Sequence, residues 1–319
     1  MNSIFEYAKA HLRRIWKSRE LELASISSSL VDSHHLLITT VHNEEEIIPY
    51  FLEYYRRLGF SEFIFINNQS DDRTARLLHA QTGVTIYKAN GSYKHSRFGN
   101  DWVNHLLCKH GVGKWILYVD ADEFLVYPEI EATKISAFTK ALEETGKVSL
   151  HCLMVDMYAA GKLSECVYSE GQDPLRLCPY FDRDGYFDDL EPNSNTRWIK
   201  GGVRCRLFFD NVSDAPALNK IPLVKWSRHF AYLKSSHQIW PLSLNAGSST
   251  PETLTRGALL HFKFLSTFTR KLALEAKRRQ HTDEYVAYTN SNSDDLELYD
   301  EQHSVRYEDW QTLRGLGLL

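Results

Sequence analysis

Ten residues constrain this chain more than any others. Trp115-Ile116-Leu117-Tyr118-Val119-Asp120-Ala121-Asp122-Glu123-Phe124 is an apolar run that passes directly into three carboxylates. A run of that length reads as a buried core strand. In extended backbone Asp120 and Asp122, two apart, leave the same face. Carboxylates crowded at a strand end repel one another unless a cation or a proton relieves them. A hard divalent ion, Mg²⁺ or Mn²⁺, does so, and such sites take one or two carboxylates with phosphate oxygens of the substrate. The stretch therefore predicts a metal–diphosphate site at the C-terminal end of a strand, where open α/β sheets bind ligands. The plainer alternative is an acidic turn that caps the next helix, and a lone Asp-x-Asp fits either.

Size and charge narrow the rest. At 319 residues, 43% hydrophobic and 24% charged, the chain suffices for one large domain or two small ones. A net charge of -4 argues against a nucleic-acid binder, which carries a basic excess. The first residues lack the continuous apolar core and cleavage site of a secretory leader, and no uncharged apolar run reaches the length of a membrane span. The five cysteines, Cys108, Cys152, Cys166, Cys178 and Cys205, form no C-x-x-C pair, so neither a disulfide framework nor a zinc site is expected. A reduced, cytoplasmic setting fits best.

Residues 1–33 read as an amphipathic helix and a linker. Ile4, Phe5, Ala8, Leu12, Ile15 and Trp16 make one apolar stripe, and Lys9, Arg13, Arg14, Lys17 and Arg19 decorate the remainder. Such a helix docks its stripe on its own domain or lies on an anionic membrane, so peripheral contact with the inner face of a membrane through residues 1–19 is one expectation. Ser25 to Ser33 reads as the linker.

Residues 34–128 alternate strands and helices. Strands are expected at Leu36–Val41, Phe63–Ile66, Val84–Tyr87 and Trp115–Val119. A helix capped by Asn43, with Glu44, Glu45 and Glu46 in its first turn and Gly59 at its end, follows the first strand. A second helix runs through Leu78, and a third covers Asn100 to His110. This spacing implies parallel βαβ units in a Rossmann-like, doubly wound, mostly parallel α/β sheet, with the polar loops after the strands on one edge. Residues 129–290 break the rhythm. They hold a helix over Ile135–Glu144, a strand over Val148–Val155, and a long polar stretch from Tyr158 to Lys200 that reads as a functional loop. Short strands follow at Val203–Phe209, Leu223–Trp226, Phe230–Leu233 and Ala258–Phe264, then a basic helix from Thr267 to Tyr288. The remaining residues, with 291–319 as the C-terminal tail, read as loosely held.

The order of these blocks resembles glycosyltransferase family 2. Asn43-Glu44-Glu45 after the first strand, Ser70-Asp71-Asp72-Arg73-Thr74 after the second, and Asp120-Ala121-Asp122-Glu123 follow that family's arrangement. Phe98-Gly99-Asn100-Asp101-Trp102, Gly201-Gly202-Val203-Arg204 and Leu259-Leu260-His261-Phe262-Lys263-Phe264 resemble a bacterial branch of it, over about residues 33 to 290. The resemblance implies a GT-A fold, with 34–128 as the nucleotide-sugar-binding half and 129–290 as a mixed-strand half that binds the acceptor and completes the metal site. It implies a nucleotide-sugar donor, Mn²⁺ or Mg²⁺ on its diphosphate, and inverting transfer to a hydroxyl of a glycan or lipid-linked acceptor in surface glycan or polysaccharide synthesis. Asp122 is then the main metal ligand, and Asp120 holds the metal, its water or the ribose. Asn43, Glu44, Asn67 and Asn100 fall to the nucleotide sugar. Asn67 departs from the family, which usually has Asp there; an amide offers a donor as well as an acceptor, so the base it reads is open. Cap and turn chemistry accounts for Asn43 and Asn67 without a ligand.

In the second half His261 stands out. A neutral imidazole can complete a metal shell. Lys263, two residues on and expected on the same face, and Arg256 before the strand can neutralise charge on a leaving diphosphate. A core histidine beside an edge lysine is the plainer account. An inverting transferase also needs a base near neutrality, and Asp188, Glu191 and Asp156 are the candidates drawn from the acids of this half, Asp182 and Asp189 being others. Two alternatives remain: a metal-dependent nucleotidyltransferase or nucleotide-sugar hydrolase, against which no glycine-rich phosphate loop is present, and a non-catalytic nucleotide- or glycan-binding protein of the same fold.

Overall fold

The computed structural model describes residues 3–245, 256–265 and 296–319. Four strands, β2 (His35–Val41), β3 (Phe63–Asn67), β4 (Val84–Ala89) and β5 (Trp115–Tyr118), lie parallel in the order β4-β3-β2-β5. Their side chains alternate between two cores, as a period of two requires. Leu37, Phe63, Phe65 and Leu117 meet Phe51 and Tyr55 of α2 (Ile48–Leu58) and Ile135 and Phe138 of α5 (Ile135–Glu144). Leu36, Ile38, Ile64, Ile66 and Ile116 meet Trp102, Val103 and Leu106 of α4 (Asn100–Leu106). The sheet is therefore covered on both faces, which is what lets parallel strands carry almost no polar residue.

Beyond β5 the sheet becomes mixed. β11 (Asn219–Lys225) runs antiparallel between β5 and β7 (Ser149–Asp156). β14 (Gly257–His261) is parallel to β7 and antiparallel to β6 (Glu123–Val126), which closes one side of a nine-stranded sheet. The other side is closed by β1 (Leu21–Ser25), antiparallel to β4. The α/β class and the division into a parallel first half and a mixed second half are as expected; four of the eight pairings are parallel.

Several local expectations are overturned. The serine-rich linker is preceded by β1, an edge strand too short and too exposed to show alternation. The helix expected from Asn43 begins at Ile48 instead, because Pro49 suits a first turn and Asn43 is left-handed at φ 55°. Val203–Phe209 is a helix, α6 (Gly202–Phe208), started by two glycines at φ 137° and 62°. The stretch from Tyr158 to Lys200 is not one loop: it contains β8 (Tyr180–Asp182) and a hairpin of β9 (Tyr186–Glu191) with β10 (Thr196–Gly201). The tail is not loose from Leu296 onward. β15 (Ser304–Arg306) pairs with β8, and α7 (Trp310–Gly315) is closed by a capping box of Asp309 and Thr312. The helix expected over Thr267–Tyr288 lies outside the described residues.

The N-terminal helix α1 (Ser3–Lys17) is docked, but by its polar side. Arg13 donates to buried Asp101 at 2.9 Å and to the His95 carbonyl at 2.5 Å, and Arg14 donates to the Cys108 thiol. Tyr7 stacks on Trp240 at 4.9 Å. The apolar stripe faces outward. Among the described residues no helix is long and apolar enough to cross a membrane.

Candidate active site

The parallel strands end together, so the loops after β2, β3 and β5 share one edge of the sheet. The first two loops are latched. Asn43 and Asp71 exchange hydrogen bonds, Nδ2 to Oδ1 at 2.6 Å and Asp71 N to Asn43 Oδ1 at 2.9 Å. Glu44 N donates to Thr74 Oγ1 at 2.9 Å, and Arg73 bridges Glu45 at 3.1 Å and Glu170 at 2.6 Å. The Asn67 side chain accepts from Ser70 N, three residues on, at 3.0 Å, a local side-chain-to-backbone bond that closes the loop after β3. Asn100 opens α4. It is fully buried, its Nδ2 donates to the Tyr232 carbonyl at 2.9 Å, and its Oδ1 has no hydrogen-bond partner among the described residues. It follows three left-handed residues, Arg97, Phe98 and Gly99, at φ 53°, 56° and 78°. A side chain at Gly99 would meet Thr40 Oγ1 at 2.9 Å, so glycine is required there.

The carboxylate cluster is a turn rather than an extended strand. β5 stops at Tyr118, β6 starts at Glu123, and Glu123 N bonds back to the Asp120 carbonyl at 3.1 Å. Asp120 and Asp122 therefore diverge. Asp120 meets Lys220 of β11, Nζ to Oδ2 at 3.2 Å, and stays nearly half exposed. Lys220 also contacts Glu123, both side chains being almost wholly buried. Burial pushes the Glu123 carboxyl up to about 7, although Lys220 opposes it. Burial would lower Lys220, but Asp120 and Glu123 outweigh it and raise its pKa, so the ammonium stays charged.

Asp122 turns to His261 instead, Oδ2 to Nε2 at 3.6 Å. His261 ends β14 and stands in register with Asp156 at the end of β7 and with Glu123 at the start of β6. Its Nδ1 donates to Asp156 Oδ1 at 2.5 Å, and the other oxygen of Asp156 accepts from Arg204 Nε of α6 at 2.7 Å. Burial works against the imidazolium, but Asp122 and Asp156 overcome it and raise the His261 pKa to about 9. Burial would likewise raise Asp156, yet Arg204 and His261 hold it down to about 2. No group of three His, Cys, Asp or Glu side chains among the described residues forms a ready-made metal cage. Two ligands about 2.1 Å from an ion, at tetrahedral to octahedral angles, stand roughly 3.0 to 3.5 Å apart, so the Asp122–His261 pair needs only a small approach to share one. A ring nitrogen fixed by a carboxylate while the other faces the ion is the usual second support of a metal-binding histidine.

The remaining candidates scatter. Asp188 pairs with Arg197 at 2.6 Å on the β9–β10 hairpin. Glu191 accepts from Trp198 Nε1 at 2.9 Å and Ser194 at 2.7 Å, and these bonds, Trp198 first, hold its pKa down. Asp182 is tied to Arg206 at 2.9 Å and to the Tyr158 hydroxyl at 2.5 Å. Arg256 precedes β14 while His261 ends it, which separates them by roughly 16 Å of strand. Lys263 lies past the end of β14 in a turn, so the shared face expected of extended backbone does not apply. Lys220 and Arg204 were not assigned a role from sequence. Lys220 had a signal, since a lysine inside an apolar strand demands an acidic partner. A shallow hollow over α2, lined by Pro49, Leu52, Glu53, Arg56, Arg57 and Gln81, contains none of these residues.

No family model matches the sequence, and no curated protein matches it. Solved structures resemble it at a distance. The mannosyltransferase PcManGT from Pyrobaculum calidifontis, in complex with GDP-Man and Mn²⁺, is 14% identical over 48% of this chain and 45% of its own, with a TM-score of 0.29. HddC from Yersinia pseudotuberculosis is 9% identical over 75% of this chain and 97% of its own, with a TM-score of 0.31. The glucosyl-3-phosphoglycerate synthase from Mycobacterium tuberculosis, in complex with Mn²⁺, uridine-diphosphate and phosphoglyceric acid, is 14% identical over 44% of this chain and 48% of its own, with a TM-score of 0.25. The match thus spans about half the length of the mannosyltransferase and of the synthase. Likeness at this level says nothing about what this chain binds.

Proposed function

We propose that this chain is a metal-dependent glycosyltransferase of the GT-A type that moves a sugar from a nucleotide-sugar donor to a hydroxyl of a glycan or lipid-linked acceptor, with inversion, on the cytoplasmic side of surface glycan synthesis. One observation carries the reading: at the sheet edge where the β2, β3 and β5 loops converge, His261 is locked by Asp156 and Arg204 with Nε2 turned toward Asp122.

Asp122 and His261 hold a Mn²⁺ or Mg²⁺ ion in this reading, and His261 gives up its ring proton on doing so. The ion, when bound, stabilises negative charge on the leaving diphosphate. Asp156 fixes the imidazole, and Arg204 keeps Asp156 ionised, so Asp156 is a positioning group rather than the base first considered. Lys220 holds Asp120 at the rim, where its exposed carboxylate can accept from a ribose hydroxyl. The latched loops of Asn43, Glu44 and Asn67 present backbone and amide groups to the nucleoside. Among the acids considered as the base, Asp188 on the exposed hairpin is retained: its one ion pair, with Arg197, leaves its side chain 37% exposed, whereas Glu191 accepts from both Ser194 and Trp198.

The test is turnover with a panel of UDP-, GDP-, CMP- and dTDP-sugars, with and without Mn²⁺ and with a mixture of glycan and lipid-linked acceptors. Metal-dependent release of nucleoside diphosphate that requires an acceptor, and that Asp122→Asn abolishes, is expected. Release of free sugar at the same rate without acceptor would make the enzyme a hydrolase. Binding of a nucleotide with no turnover of any sugar would make it a binding protein.

A further inference from the structure

We infer that the outward face of α1 is a docking surface for an anionic lipid bilayer. The helix is amphipathic, and it is mounted the opposite way from an ordinary surface helix. Ile4, Phe5, Leu12, Ile15 and Trp16 are 63%, 61%, 70%, 62% and 58% exposed, whereas Ala10 and Lys17 are buried. At helical spacing those five side chains make one continuous stripe, and a soluble protein gains nothing by showing it to water.

The orientation is held from beneath. Arg13 is bonded to Asp101 and to the His95 carbonyl, Arg14 to Cys108, Lys17 to Glu20, and Tyr7 is stacked on Trp240. Asp101 is itself fully buried and also takes Arg97, Nε to Oδ1 at 2.8 Å. Turning the helix over would leave that carboxylate short of a cation and put three basic side chains where the stripe is now. The basic residues that the sequence suggests for the membrane side are mostly the ones that bind the domain.

Charge identifies the occupant. The two cations left on the outward side, Lys9 and Arg19, flank the stripe, and the helix's single acid, Glu6, has a buried carboxylate oxygen. The face is thus apolar and cationic on a chain whose net charge is -4. A second copy presenting the same face would bring no exposed acid of α1 to pair with Lys9 and Arg19. A bilayer instead takes the stripe into the acyl boundary while the two long side chains reach phosphate level, and Trp16 belongs to the residue type that prefers that depth. The inference concerns where the protein sits and does not rest on the transferase reading.

The experiment is co-sedimentation of the full chain with phosphatidylcholine vesicles, with and without about 30% phosphatidylglycerol. The wild-type protein is expected to sediment with the anionic vesicles. The L12S/I15S/W16S variant should lose about tenfold or more of that partition with an unchanged Tm, as removal of inserted apolar surface requires. If the triple variant does not fold, Leu12→Ser alone serves. The K9E/R19E variant should lose the preference for anionic over neutral vesicles. Failure of the wild-type protein to sediment with anionic vesicles, or equal sedimentation of the folded serine variant, overturns the inference. A dimer in analytical ultracentrifugation that the same serine substitutions dissociate would assign the face to a second copy and overturn it as well.

Discussion

His261 and Asp156 stand opposite each other at the ends of two parallel strands, and the imidazole donates to the carboxylate at 2.5 Å. That bond commits Nδ1 and turns Nε2 toward Asp122. Mn²⁺ titration of the apoprotein by calorimetry reads this directly. If the proposed site holds Mn²⁺, replacing either residue, as His261→Gln or Asp122→Asn, should weaken it by more than the supporting change Asp156→Asn, which is expected to weaken it by about 10- to 100-fold. An unchanged isotherm for His261→Gln would leave the residue a core histidine.

Arg204 and Asp156 form an ion pair with both side chains under 4% exposed. Removing the guanidinium leaves Asp156 with His261 as its remaining cation, so Arg204→Met should cost about 3 kcal/mol in urea unfolding, the low end of what a broken buried pair costs. The double replacement Arg204→Met with Asp156→Asn should recover part of that loss, because it removes the buried charge and keeps an amide oxygen for the His261 ring. A double variant no better than the single one would locate the cost in packing.

Lys220→Met leaves Glu123 buried without its cation. The folded-state pKa of Glu123, already near 7, then rises further. A carboxyl raised in the folded state loses stability as pH climbs from its unfolded value toward its folded one. The variant's deficit against wild type should therefore be larger at pH 8 than at pH 5, read as the shift in urea midpoint. A deficit independent of pH would mean that Glu123 is compensated by another group.

His237 donates from Nδ1 to the Asn219 carbonyl at 2.6 Å. Burial, with Lys220 nearby, lowers its pKa to about 4. Because the folded value lies below the unfolded one, the contribution of the neutral ring is fully present above about pH 6.5 and is lost as pH falls toward 4. His237→Gln should flatten the fall of Tm in that window relative to wild type. Parallel Tm profiles would show that the other histidines held neutral by burial, His110 and His151 among them, dominate it.

Legibility followed the physics of each element. β2, β3 and β5 are continuous apolar runs buried on both faces, and such runs announce themselves. The acidic motif was legible as chemistry but not as geometry: extended backbone would have set Asp120 and Asp122 side by side, whereas the turn sends one to Lys220 and the other to His261. Asp156 looked like a candidate base because nothing in its own strand shows Arg204, which arrives from a helix 48 residues later. The β9–β10 hairpin was read as loop because Tyr186–Glu191 is exposed along most of its length and carries no alternation. The stripe on α1 was evident, but which side faces the domain depends on Asp101, a residue on another helix.

The tail's role bears on how the molecule is made. Leu313 is fully buried, Ser304 bonds the Tyr158 hydroxyl at 2.8 Å, and the Leu298 carbonyl takes Arg206 at 2.7 Å. These contacts join residues 298 and 304 to partners synthesised 92 and 146 residues earlier. On the ribosome β8 must wait for β15 with an open edge, the kind of surface that recruits other chains. A messenger that stops before codon 304 would leave that edge permanently open, so its product should be an aggregating fragment rather than a merely less stable protein.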